Sequence, residues 1–240
     1  MRRVQAYFLC SVALILVGLN APALAQESWA QKDFRQWTSA EVEKILTNSP
    51  WAQTREIGLA GADTLTTVTP SLPNRQAVIM RLRSALPIRE ALARLRQLNN
   101  KYDKMSDKDK KALDEKNQTL LECPPCADSY VVSLSPAEAR GKGVPVVLMT
   151  MSEAEVKKDV HLMNDAGETR ELIHFTPPKS QGDEAIFFFE RLNEQGKPLI
   201  NSSSKRLIVT FDPKIFPSQM ALTKFEFEAA KMIVNGQVAF

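Results

Sequence analysis

From Tyr130 to Phe240 the sequence breaks into short alternating or β-branched apolar runs, each closed by turn residues. A chain patterned this way is confined to antiparallel sheet. The runs are Tyr130 to Leu134, Val144 to Met149, Val156 to Leu162, Thr169 to Phe175, Ala185 to Arg191, Arg206 to Phe211, Phe225 to Val234 and Gln237 to Phe240. Asn164-Asp165-Ala166-Gly167 makes the turn of a predicted hairpin, and Asn235-Gly236 closes a second. Ser135-Pro136-Ala137-Glu138 has the form of a capping box with proline at the first helical position, which predicts a single helical turn.

Helical signals come earlier. Thr38 or Ser39 opens a helix with Glu41 and Glu43 in its first turn and Trp37, Val42, Ile45 and Leu46 as its apolar stripe. Asn48-Ser49-Pro50 stops it. Thr64 to Thr69 reads as a strand, Pro70 to Asn74 as a turn, and Gln76 to Arg83 as a half-buried strand with Val78, Met80 and Leu82 on one face. Residues 87–121 read as a helical hairpin. Its first arm carries Ile88, Leu92, Leu95 and Leu98, and its second opens at Ser106 with Asp107 and Asp109 behind it. The mixed lysine and aspartate run between 103 and 116 reads as a solvated face of that second arm, with a charge-based binding surface as the alternative. The predicted class is α+β: an N-terminal helix, an inserted helical hairpin and an antiparallel β-sandwich-like C-terminal half. The expected divisions are a leader over 1–25, an α+β region over 26–128 and a β-sandwich-like region over 129–240.

Arg2 and Arg3, the apolar stretch from Ala6 to Leu19 and the small residues Ala23 and Ala25 form a secretory leader, with cleavage before Gln26. The apolar stretch is short for a membrane span, and no later stretch is long enough for one. The chain is therefore expected outside the cytoplasm, in the periplasm, the envelope or the medium. Two of its 31 basic residues lie in the leader, which has no acid, so 29 basic residues face 28 acidic ones after cleavage. That balance gives no support for a nucleic-acid partner.

Cleavage also removes Cys10 and leaves Cys123-Pro124-Pro125-Cys126 as the most specific short motif. Three chemistries use such a spacing. A structural disulfide is the expectation in an oxidising compartment. A redox pair needs a thiol activated at a helix N-terminus, inside a βαβ context that this sequence lacks. A zinc set would need Cys123 and Cys126 together with His161 and His174, the only two histidines, and their long separation is unlike a compact zinc module. Ser202 and Lys205 match one element of the penicillin-binding enzymes without its companions. Nucleophile elbows, zincin helices, phosphate loops and calcium loops are missing from the sequence, and no cofactor is implied. Trp37 and Trp51 flank the first helix, either as partner or glycan contacts or as pins holding that helix to the body.

The string Trp37-x3-Glu41-Val42-x2-Ile45-Leu46-x2-Ser49-Pro50-Trp51-Ala52 resembles the N-terminal signature of a family of uncharacterised secreted bacterial proteins, and the Leu162 to Phe175 stretch is similar to theirs. The resemblance covers about a fifth of the chain. It implies export and bacterial origin and carries no activity or site residue. The function expected from the sequence is a non-catalytic structural or binding component of the envelope, with an envelope protein or glycan as partner. The alternative is a thiol–disulfide protein using Cys123 and Cys126.

Overall fold

A computed structural model describes residues 28–57, 76–137, 146–201, 203–216, 222–234 and 237–239. The leader, the expected strand at Thr64 to Thr69 and the turn that follows it lie outside the described residues.

Helix α1 (Ser39–Thr47) starts where its cap dictates. The Thr38 hydroxyl accepts the Glu41 N–H, and the Glu41 carboxylate accepts the Thr38 N–H at 2.9 Å, so two orphan donors are satisfied reciprocally. Its buried stripe is Val42, Ile45 and Leu46. The two-residue β1 (Asn48–Ser49) then turns through Pro50 and Trp51 into β2 (Ala52–Ile57), which pairs along its length with β3 (Gln76–Leu82). Helix α2 (Leu86–Asn99) carries proline in its first turn and buries Ile88, Ala91 and Ala93. Helix α3 (Asp107–Glu122) is capped by the Ser106 hydroxyl and buries only Asn117 completely, so it leans on α2 with most of its surface in solvent. These are the two arms of the expected hairpin.

Strand β4 (Ser129–Pro136) is buried on both faces and lies at the centre of a six-stranded antiparallel sheet in the order β1-β2-β3-β4-β8-β7, with β7 at Leu172–Thr176 and β8 at Ala185–Glu190. A second antiparallel sheet runs β10-β9-β5-β6, with β5 at Val160–Asn164, β6 at Thr169–Arg170, β9 at Arg206–Phe211 and β10 at Lys224–Glu228. A short pair, β11 (Ile233–Val234) and β12 (Gln237–Val238), follows. One core serves both sheets. Phe187 of the first meets Phe211 of the second edge to face at 5.7 Å, and Phe211 meets Phe225 at 6.2 Å. The α+β class and the antiparallel sheets agree with the sequence reading. The larger sheet also recruits β1 to β3, from before residue 129.

Four local expectations are corrected. Ser135 and Pro136 continue β4, because Ser135 pairs with Ile79 and Pro136 sits at the strand end, where its missing N–H is tolerated. Residues Val147–Thr150 form one helical turn, α4, where a strand was expected. Residues Glu153–Asp159 form helix α5, because Ser152 and Glu155 make a complete capping box that outweighs the alternation beginning at Val156. Strand β5 therefore starts only at Val160, and its hairpin partner β6 lasts two residues. The chain then crosses to the other sheet as β7. Gly167, at φ +83°, makes the turn between β5 and β6. The long final strand expected over 225–234 is interrupted by a 3-10 turn at Ala229–Lys231.

Of the four edges of the two larger sheets, β1, β6 and β7 are short or covered and β10 is not. β1 and β6 are two residues long. Along β7 the Glu153 carboxylate of α5 accepts the Phe175 N–H at 3.1 Å, while Lys157 pairs with Glu171 at 2.9 Å. Short and occupied edges resist pairing with other chains.

Candidate functional site

Cys123 and Cys126 are joined as a disulfide, with their Cα atoms 5.3 Å apart. The corner they close is the reversal from α3 into β4. Cys123 ends α3 in the left-handed region, at φ +46°, and its N–H still donates to the Thr119 carbonyl at 3.1 Å. Pro124 and Pro125 open a 3-10 turn, and the Cys126 N–H closes it on the Cys123 carbonyl at 2.8 Å. Cys126 is buried and Cys123 half-buried.

The electrostatics of this corner have two sides. The pair lies at the C-terminal, electronegative end of a 16-residue helix, the opposite of the position that stabilises a thiolate. The prolines supply no N–H to a sulfur anion. Two guanidinium groups do stand nearby. Arg89 of α2 donates to the Leu121 carbonyl in the last turn of α3. Arg191, after β8, donates to the Cys126 carbonyl at 3.0 Å and lies over the Tyr130 ring at 5.5 Å. Both cations are thus engaged by main-chain carbonyls. Burial is the main influence lowering the Arg89 pKa, Glu90 opposes it, and Arg191 adds to it. Burial, reinforced by the Asp33 carboxylate and opposed by Arg89, pushes Glu90 up to about 7.

The histidines are not brought to the cysteines as a metal set. Both sulfurs bind each other, and among the described residues no group of three or more His, Cys, Asp or Glu is gathered to hold an ion. His161 sits on β5 and His174 on β7, in different sheets, because the predicted hairpin ends after β6. His174 Nδ1 lies 2.9 Å from Glu153 Oε2, and Thr176 Oγ1 lies 3.4 Å from His174 Nε2. The order hydroxyl, imidazole, carboxylate matches a nucleophile relay. The side chains of His174 and Glu153 are 60% and 49% exposed, so water reaches the relay. Its clear role is to hold α5 along the edge of β7.

Trp37 and Trp51 are 2% and 1% exposed. With Trp29 they form an edge-to-face cluster at 5.6 and 5.8 Å. The Trp37 indole N–H donates to the Trp29 carbonyl at 2.9 Å, which leaves these rings to the core. Ser202 lies outside the described residues. Sequence reasoning missed Arg89 and Arg191, because each stands beside an acid, Glu90 and Glu190, and reads as an ordinary surface charge.

No protein-family model matches the chain, and neither a curated protein nor a solved structure matches it significantly. Among the described residues no helix is long and apolar enough to cross a membrane.

Proposed function

We propose that this chain is a non-catalytic structural or binding component of the bacterial envelope, exported by its leader and cleaved before Gln26. The observation that carries the reading is the setting of Cys123 and Cys126. The most reactive motif in the sequence is a closed clamp at a helix C-terminus, with proline, which has no N–H to donate, on both intervening positions. The relay at His174 is open to water and occupied in tethering a helix. The resemblance of the Trp37 to Ala52 string to a secreted bacterial family supports export and adds no activity. The test uses the processed chain as bait in a native envelope extract. Saturable capture of one envelope protein or glycan, unchanged when both cysteines are serine, supports the reading.

A second reading, a thiol–disulfide protein, is favoured by one observation: the half-buried Cys123 has two guanidinium groups close to its ring. A redox titration with an insulin-reduction assay separates the two. A potential of roughly −120 to −200 mV with turnover would establish the oxidoreductase and remove the first reading.

A further inference from the structure

Along one side the two sheets meet through polar groups. The edge of β2, where the short β1 runs out, and β10 line an open cleft of about 550 Å3, together with Lys44, Asn48 and Lys231. That volume falls in the range of ligand sites. Gln53 and Arg55 stand opposite Met80 and Val78 in the pairing with β3, so both project from the core-side face of the sheet at its rim.

The β10 wall presents main-chain groups. The Phe211 N–H donates to the Thr223 carbonyl and the Ala229 N–H to the Lys205 carbonyl, so Thr223 and Ala229 turn toward β9. By the two-residue alternation of an antiparallel pair, Lys224, Glu226 and Glu228 turn away from β9, toward the cleft. The Glu226 carbonyl already accepts a hydrogen bond there, from the Gln53 carboxamide. A carboxamide is a peptide group on a side chain, so it makes the bond that the N–H of an added strand would make.

Both carboxylates that line the cleft are already paired. The Glu226 carboxylate is held by Arg206 and Lys224, and the Glu228 carboxylate by Lys231. Arg55 differs. Its guanidinium touches the Gln53 side-chain oxygen at 3.5 Å and lies 5.9 Å from the centroid of the Phe225 ring, and it forms no ion pair with a described residue.

We propose that this cleft receives an extended acidic segment of a partner protein, laid along β10 as an added strand, with an aspartate or glutamate side chain on Arg55. The proposal rests on the reading of the chain as a binding component. Main-chain hydrogen bonds give such a complex its affinity and the paired charge its register. The Gln53 carboxamide occupies the position in the free protein and swings aside when the strand arrives.

The test is selection of random twelve-residue peptides on the processed chain, followed by titration of the selected peptides by fluorescence anisotropy. The expected peptides carry an acid flanked by β-branched residues. Arg55→Glu should weaken them at least tenfold, and lysine in place of their acid should weaken binding to the unaltered protein and restore it on Arg55→Glu. Gln53→Ala should bind as tightly as the unaltered protein or more tightly. The arm with altered peptide and unaltered protein needs no folded variant. Failure to enrich any peptide, or equal binding of acidic and lysine peptides to the unaltered protein, overturns the proposal. Enrichment of segments of this chain itself would also overturn it, by making the occupant a second copy. Envelope capture by Arg55→Glu of the same partner as the unaltered chain would overturn the cleft and leave the binding reading intact.

Discussion

Glu90→Gln separates burial from charge at the corner where α2, the segment around Asp33 and the disulfide region converge. The folded chain holds the Glu90 proton up to about pH 7, whereas the ordinary carboxyl value is 4.5. The folded state therefore binds more protons than the unfolded state between those values, and stability falls as pH rises across the window. The contribution is complete below about pH 4.5 and gone above about 7. At 1.36 kcal/mol per pH unit the ceiling is about 3 kcal/mol. Glu90 is only half-buried, so screening by water brings the expected effect to about 1–2 kcal/mol. Glutamine keeps the shape and has no charge to bury. At pH 8.5 the variant should be the more stable by that amount, and at pH 4 the two should coincide. Urea unfolding followed by tryptophan fluorescence at both pH values measures the gap, and titrating groups not coupled to Glu90 cancel in the difference. A gap that is the same at both pH values, or a variant less stable at pH 8.5, would refute the reasoning.

Replacing both Cys123 and Cys126 with serine opens a very small ring and should cost about 2 kcal/mol or less, read as a shift in urea midpoint with folded secondary structure retained. The tryptophans should differ in a way set by their hydrogen bonds. Trp37→Phe removes one of two hydrogen bonds to the Trp29 carbonyl, which keeps the Lys32 N–H, whereas the Trp51 indole N–H has no partner among the described residues, so Trp37→Phe should be costlier than Trp51→Phe by about 0.5–1 kcal/mol in the same assay. Trp51→Ala opens a core cavity and should cost about 3–5 kcal/mol. Intact mass of the exported protein should correspond to residues from Gln26 onward, and a full-length membrane-held chain would contradict the leader.

What the sequence made legible follows the range of the interactions that decide each element. Thr38 and Ser106 cap their helices within four residues, and both helix starts could be read directly. The stretch from Ser152 to Leu162 carried two local signals at once, since Val156 and Val160 satisfy both the alternation of a strand and the four-residue spacing of a helix. The capping box at Ser152 and Glu155 decided it, and a search for that box in the sequence would have found the helix. The cysteine motif was visible, but the groups that set its character were not. Arg89 is 32 residues from the carbonyl it holds and Arg191 is 65 residues from its own, so only the completed fold brings them to the corner. The cleft is the limiting case. Residues Ala52 to Ile57 have too little apolar character to read as a strand, because their core-side positions at the rim carry Gln53 and Arg55. The polar inward face that hides this strand in the sequence is the same feature that lines the cleft beside β10, so the site is least visible where its chemistry departs most from that of a core strand.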